Sequence, residues 1–554
     1  MYLRKTSRKN KDGTKVTYYQ LAHNEWDPET KSSKARVIYN FGREENLDRA
    51  VLERLVSSVS RILSPEQAHR AQEEIGEAAG FIFKSCKKMG GSWFLDQLWK
   101  QLELDKILEK LFENRNHQLN MERLIFSMVA NRALSPSSKL AMEDWVEKEA
   151  YIPGLNEVSS QHLYRAMDEL LAVQKELEFQ VFCSASNLLN LEVDLLYFDT
   201  TSSYFEVEPS EAPDDDEFRK RGFSKDKRPD LLQVVIGLAV TKEGIPIRCW
   251  VWPGNTMDMS VIEEVKNDLV GWKLGRVINV VDRGFSSEDN LVYLQRAGGH
   301  YIAGEKMRSG KEEVEKAMSR KGRYQEVKDN LHVKEVVVGD GEKRKRYVLV
   351  YNPAEAEKDK KQRQEIIQKL ESELESIKQH PEENHTKTVC SLRSHPVYGK
   401  YIRQLKDGTL RLNKMAIREE EKYDGKYLLI TSDDTLTPEE VALGYKQLID
   451  IENAFRTLKS SLEIRPMYHR LEERIRAHVT ISWLSLLLVR IAENKIGETW
   501  DRIRDELELM SLGHFASDKG EIFQRTELTA KQKQYFNNLD ISPPNKLVNV
   551  DLES

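Results

Sequence analysis

The sequence has little cysteine, no long apolar run and no excess of positive charge. Its four cysteines (Cys86, Cys183, Cys249 and Cys390) show no Cys-x-x-Cys spacing among 554 residues. That excludes a zinc-ribbon or disulfide framework and fits a reducing, cytoplasmic setting. No stretch reaches the roughly 18–20 consecutive apolar residues that span a bilayer. The longest candidate, Ile481–Val489 in "ISWLSLLLV", reads as a buried helix. A mean hydropathy of −0.61 points the same way. The N-terminus "MYLRKTSRKNKDG" is basic but has no apolar core, so it does not read as a secretory signal. Net charge is −6, from 85 Lys and Arg against 91 Asp and Glu. That total weighs against a simple nucleic-acid binder. The charge is unevenly spread, however. Residues 1–43 hold ten basic residues against four acids, and Arg219–Arg228, "RKRGFSKDKR", holds six against one. Local basic surface is what phosphate contact requires.

At roughly 150 residues per domain, the length predicts about three or four domains. Residues 1–43 form a small basic β-rich module, with strands "KVTYYQLAHNEW" and "KARVIYNFG" around a turn at Asp27–Ser33. Residues 44–190 read as a helical DNA-binding or dimerisation domain. Apolar residues recur at three and four in "LDRAVLERLVSSVSRIL", "SWFLDQLWKQLELDKILEKLF" and "NMERLIFSMVANRAL", and "SSQHLYRAMDELL" opens on a capping Ser.

From 191 to 305 the order is β-β-β-α-β-α-β, with short apolar strands such as "GRVINVVD". That pattern predicts an α/β fold with a mixed sheet covered on both faces. A β-rich insertion follows over 306–436, with one long charged helix at about Ala354–His380. The core resumes over 437–515, where Thr437 caps a helix with Pro438 at its first position. Residues 516–554 form a polar tail.

Two aspartates stand out against this pattern. Asp199 lies within the apolar strand "LLYFDTTSSYF", and Asp282 ends the buried run "VINVVDRGF". A carboxylate inside an apolar strand is costly unless it faces a cation or solvent. One at a strand's C-terminal end lies where open α/β sheets place their sites. Two such acids on neighbouring strands would suit a hard cation such as Mg²⁺, which keeps several waters and needs few protein oxygens. Glu452, among Leu448, Ile451 and Phe455, supplies a third acid from a helix. Tyr445, Glu452 and Lys459 are spaced by seven, nearly two turns, so they share one helical stripe. His300 and His478 read as structural. An aspartyl-phosphatase reading fails because Asp199 is followed by Thr-Thr.

The segments "YFDTTSSYFE", "GFSKDKRPDLLQVVIGL", "PGNTMD", "VVDRGF" and "YKQLIDIENAFRTLKSSLEIRPMYHRLEERIRAHV" resemble bacterial insertion-sequence transposases of the DDE class, from about Leu191 to Val489. The resemblance implies a ribonuclease H-like core with a β-rich insertion before the glutamate. It makes Asp199, Asp282 and Glu452 the catalytic, metal-binding carboxylates, with two Mg²⁺ ions per site and Mn²⁺ able to substitute. It also implies double-stranded DNA as partner (element ends and target) and a homodimer on paired ends in a bacterial, nucleoid-associated setting. The reaction expected is cut-and-paste transposition through a hairpin. The family's Tyr-Arg-Glu-Lys signature falls on Tyr445, Leu448, Glu452 and Lys459, so leucine replaces the arginine. Tyr445, Lys459, Arg456, Lys225 and Arg228 are the expected phosphate contacts, with Lys446 or Arg456 the candidates to replace the missing charge. No tryptophan lies between 306 and 436, so a flipped base would have to stack on a tyrosine such as Tyr324, Tyr398 or Tyr401. The alternatives are another ribonuclease H-like nuclease, or a decayed or domesticated transposase that only binds DNA.

Overall fold

In the computed structural model, the structure describes residues 1–10, 15–27, 31–47, 55, 82–113, 119–189, 195–206, 218–270, 272, 277–379, 385–406, 408–517 and 520–552. The chain divides into two compact units. The first comprises residues 1–84, 515–522 and 550–554, and the second residues 85–514 and 523–549.

The first unit contains a three-stranded antiparallel sheet of β1 (Tyr2–Lys9), β2 (Lys15–Asp27) and β3 (Ser32–Arg43), in that order. The expected pair of strands is present, joined where Asp27 faces Ser32. The additional strand β1 is "YLRKTSRK". Its side chains are nearly all exposed, so no buried face left an apolar alternation to read. The helix anticipated over 47–63 lies, apart from Leu47 and Leu55, outside the described residues.

β4 (Ile82–Lys88) carries the chain into the second unit and interrupts the stretch read as wholly helical. Among the described residues the α-helices that follow are α1 (Gly90–Gln101), α2 (Leu104–Phe112), α3 (Met121–Leu134), the short α4 (Ala141–Asp144), continued by a π-helical turn over Trp145–Glu149, and α5 (Ser160–Leu189). Asn120 caps α3 by accepting from the Arg123 amide, and Ser159 Oγ accepts from the His162 amide at the start of α5. Every residue of α3 is buried. Its charges therefore need partners. Glu122 accepts from Trp99 Nε1 at 2.7 Å, and Arg123 reaches Asp96 at 2.6 Å.

The centre of the second unit is one nine-stranded sheet. β5 (Leu195–Tyr204), β6 (Gln233–Thr241) and β7 (Pro246–Pro253) are consecutive and antiparallel. β8 (Ile278–Val281) pairs parallel to β5, and β9 (His300–Glu305) parallel to β8. The crossovers are α6 (Ile262–Val270) and α7 (Glu288–Gln295), and α8 (Glu312–Ser319) follows β9. Four strands beyond β9 continue this sheet. β10 (Gln325–Lys328), β11 (Leu331–Val338), β12 (Lys345–Tyr351) and β15 (Lys426–Thr431) extend it, so its order is β10-β11-β12-β15-β9-β8-β5-β6-β7.

Strand side chains alternate between two cores. Tyr197, Ile236 and Val280 face one; Leu196, Phe198 and Val281 face the other, with α6, α7 and α8. Between β12 and β15 the chain makes an excursion. It contains α9 (Pro353–Gln379), α10 (His385–Ser394), the small hairpin β13 (Ile402–Gln404) and β14 (Leu410–Leu412), and α11 (Lys414–Glu421). Leu370, Leu374, Val389, Leu392, Tyr401 and Leu410 give it a core of its own.

The helix opened by Thr437 is two helices, α12 (Pro438–Lys446) and α13 (Leu448–Lys459), separated at Gln447. Thr437 and Glu440 close a reciprocal capping box. Gln447 Oε1 accepts from the buried Tyr197 hydroxyl at 2.7 Å. α14 (Glu472–Ile496) is the one described helix long and apolar enough to cross a membrane by composition, which the count of consecutive apolar residues did not anticipate. Its most apolar window is 89% buried within the protein.

Candidate active site

The register of the two central parallel strands sets the site. Phe198 pairs with Val281. The next residues are Asp199, still within β5, and Asp282, immediately beyond the end of β8. Glu452 comes from α13, which packs against β5 and β6. All three line one cleft of about 790 Å³. Glu452 is exposed at its margin, while its neighbour Ile451 is buried and anchors the helix.

Each aspartate has polar support. Asp199 Oδ1 accepts from the Thr200 amide at 2.7 Å. Lys225 Nζ stands 3.5 Å from the same oxygen and donates to Thr200 O at 2.7 Å. Burial lifts the Asp199 carboxyl to about 6; the Lys225 ammonium and the Thr200 amide oppose that lift, and the charges of Asp258 and Asp282 add to it. Asp282 Oδ1 accepts from Tyr445 Oη at 2.9 Å. The Tyr445 phenol is held far in its neutral form by burial and by that neighbouring carboxylate.

The expected phosphate contacts separate. Tyr445 lines the cleft and Lys225 contacts Asp199. Lys459 turns aside and donates to Asp226 at 2.8 Å, where Arg465 also makes an ion pair. Arg228 is bound to Asp230 at 2.9 Å and lies over the Tyr204 ring. Arg456 is exposed and outside the cleft lining. Leu448 lines the cleft where the signature has arginine, and Lys446 lines it too. Of the two substitutes for the missing charge, geometry favours Lys446.

Sequence reasoning did not single out the other cations of the lining: Arg283, Lys306, Arg308 and Lys426. Arg283 follows Asp282 directly, so "VVDRGF" held the signal. It also passed over Asp258 of "PGNTMD", which accepts from Thr200 Oγ1 at 2.5 Å and lies 3.2 Å from Lys225 Nζ. Among the tyrosines considered for stacking, Tyr401 is buried in the excursion's core. Tyr398 stacks on His395 at 4.2 Å, and Tyr324 packs against Tyr351. His478 is structural: it is buried, with Nε2 bonded to Ile464 O at 3.1 Å.

The donor set suits a hard cation, being carboxylate oxygen throughout. Among the described residues, no three His, Cys, Asp or Glu side chains close into a ready metal cage. A cation that keeps most of its water fits this open arrangement better than one demanding a full protein shell.

Three antiparallel strands followed by two parallel ones, with helices on both faces, define a ribonuclease H-like α/β protein. Residues 205–488 match the transposase DDE domain, a match that begins just beyond Asp199, and residues 3–71 match the N-terminal domain of IS1634 family transposases. The chain belongs to the DDE transposase family, of the insertion-sequence type. A comparison with curated proteins finds no match. Among solved structures, a piggyBac transposase synaptic complex with hairpin DNA is similar with a TM-score of 0.35 and 10% identity, over 75% of this chain and 77% of that one.

Proposed function

We propose that this transposase performs cut-and-paste transposition of double-stranded DNA, with Asp199, Asp282 and Glu452 as its catalytic carboxylates. The observation that carries this reading is the placement of Asp199 within β5 and of Asp282 immediately beyond the parallel β8, with Glu452 lining the same cleft. The three acids would hold two divalent ions, Mg²⁺ or Mn²⁺. Such ions supply charge stabilisation to the attacking and leaving oxygens of a phosphodiester. Tyr445 keeps Asp282 oriented through its hydroxyl, and Lys225 balances the charge of Asp199. Arg283, Lys306, Lys426 and Lys446 would hold the DNA backbone along the cleft.

The reaction has two kinds of step. Water attacks phosphorus at the element's end, the bond to the 3′ oxygen breaks, and a 3′-hydroxyl leaves. That hydroxyl then attacks a phosphodiester of the opposite strand, closing a hairpin and releasing the 3′-hydroxyl of the flanking DNA. Water opens the hairpin and restores the element's 3′-hydroxyl, which attacks a target phosphodiester and releases a target 3′-hydroxyl. The enzyme would act as a homodimer on two paired ends, in the bacterial cytoplasm on nucleoid DNA.

The test is cleavage of labelled duplex carrying the element's ends, with Mg²⁺ or Mn²⁺. Wild type cuts at the end. Glu452→Gln and Asp199→Asn bind the same duplex but cut at least about 10³-fold more slowly, the loss of several kcal/mol of transition-state stabilisation. If wild type binds tightly without cutting, a DNA-binding relic replaces this reading. If Glu452→Gln cuts as wild type does, the glutamate is misassigned.

A further inference from the structure

A second cavity, of about 430 Å³, lies in the same unit, and its lining includes Arg132, Lys139 and Arg465. Arg132 at the end of α3 and Lys139 in the following loop form one wall. Arg465, His469 and His478 form another, with Tyr164 and Tyr468 beside them, and Glu463 is the one carboxylate in the lining. Arg132, Lys139 and His478 are 6%, 3% and 4% exposed. Arg132 Nη1 is spent on two backbone carbonyls, Leu462 O at 3.4 Å and Glu463 O at 3.0 Å, and its Nε has no partner. The contact of Lys139 Nζ is the Met142 sulfur at 3.9 Å, and no described carboxylate pairs with it.

These groups weaken one another. Burial, with Arg132 nearby, draws Lys139 down to about 7. Burial, with Lys139, Arg474 and Arg132 nearby, draws His469 down to about 4. A buried cation without a counter-charge is costly. Lys139 has no described carboxylate partner and Arg132 keeps an unpartnered Nε, so an oxyanion entering the cavity would supply the counter-charge that Lys139 lacks. A guanidinium fork and an ammonium suit a phosphate oxyanion.

Two features favour DNA over free phosphate. Tyr468 at the rim is 71% exposed, an aromatic face beside a phosphate pocket. Arg465 reaches Asp226, whose neighbour Lys225 contacts Asp199, so two ion pairs made by consecutive residues link this cavity to the carboxylate cleft. We propose that the Arg132–Lys139–Arg465–His469 cavity binds one backbone phosphate of the DNA engaged at that cleft. This rests on the DNA-transposase reading above.

The test uses the full-length protein and Lys139→Met, which keeps the length of the side chain and removes its charge. Melting is measured in chloride and in inorganic phosphate at equal ionic strength. Affinity for a labelled duplex is measured across a salt titration. In chloride, Lys139→Met melts above wild type, because an unpaired buried charge is gone. Phosphate raises the melting temperature of wild type and not of the variant. Duplex affinity falls roughly 3- to 10-fold, and the salt slope falls by about one. A variant that melts below wild type, with phosphate response and salt slope unchanged, overturns the proposal: Lys139 is then structural. A phosphate response with unchanged duplex affinity also overturns it, since the anion is then free phosphate. The melting comparison needs no DNA cleavage, so failure of the catalytic reading is seen separately.

Discussion

At the scale of single residues, the site depends on how one phenol is seated. Tyr445 Oη donates to Asp282 at 2.9 Å, and the backbone beneath it is Gly304 of β9. A Cβ at Gly304 would lie 2.3 Å from that oxygen, closer than any stable contact. Gly304→Ala must therefore push the phenol away from Asp282 and act as a remote copy of Tyr445→Phe. Each change removes one hydrogen bond to a charged acceptor, worth about 1.5 kcal/mol. That predicts a roughly tenfold slower single-turnover cleavage of pre-bound duplex. Because both act through one bond, the double variant is no slower than either single one. Additive losses in that cycle would mean that Gly304 acts by some route other than Tyr445. Asp199 and Asp282 stand out in the sequence because an acid in or at the end of an apolar strand breaks a pattern, and Glu452 by its apolar helical neighbours and its spacing from Tyr445 and Lys459. Gly304 and Asp258 break none: one is an ordinary strand glycine and the other sits in a turn-rich loop.

At the scale of elements, a buried acid links α5 to the sheet and makes stability depend on pH. Glu178 of α5 is 3.2 Å from Arg248 of β7, which also binds Asp268 of α6 at 2.8 Å. Burial raises the Glu178 carboxyl to about 7, and the Arg248 charge and the Gln174 amide offset only part of that. The sign follows from linkage. Between the ordinary value of 4.5 and about 7, folded protein holds a proton that unfolded chain has released. Stability from this group is therefore complete below 4.5 and is lost as pH rises through 7. Glu178→Gln keeps the side-chain shape and removes the titration. Denaturant melts should show its stability loss from pH 5 to pH 8 smaller than that of wild type by about 2–3 kcal/mol. Equal losses in the two proteins would show that Glu178 stays ionised throughout. Elements with one buried face were legible from periodicity, and so were the doubly buried strands, from their apolar runs. The exposed strand β1 escaped for want of a buried face, and the division of the helix after Thr437 escaped because a tertiary partner meets it. The break at Gln447 divides a segment whose propensity favours one helix, and Tyr197, from β5, bonds to Gln447. The seven-residue stripe therefore splits between Tyr445 on α12 and Glu452 and Lys459 on α13, and Asp226 independently draws Lys459 aside.

At the scale of the whole molecule, the β-rich segment before Glu452 matters for where it joins. Its composition marked it as an insertion, but composition cannot say whether new strands form a new sheet or lengthen an old one; that depends on which edge is open. Here the open edge is β9, and β15 takes it in antiparallel register, Leu428 opposite Glu305. β12 then pairs with β15, and their last pair is Tyr351 with Lys426. Everything from 353 to 424 is thus an excursion from the tip of a β-hairpin. Asn352 N donates to Gly425 O at 2.7 Å, so the two ends of the excursion already touch. Gly425 has φ +63, the left-handed region that a tight hairpin turn needs. Deleting residues 353–424 would join Asn352 to Gly425 and leave Asn-Gly between Tyr351 and Lys426, the favoured two-residue hairpin turn. The deleted part takes its own core with it. The main ion pair it abandons is Arg308 with Glu420, where Arg308 is 54% exposed and the expected loss is small. The shortened chain should therefore be soluble and melt in one cooperative step, within roughly 5 °C of wild type, the shift that about 1–2 kcal/mol produces. An insoluble product, or a broad melt, would mean that the excursion helps to hold the sheet edge rather than hanging from it.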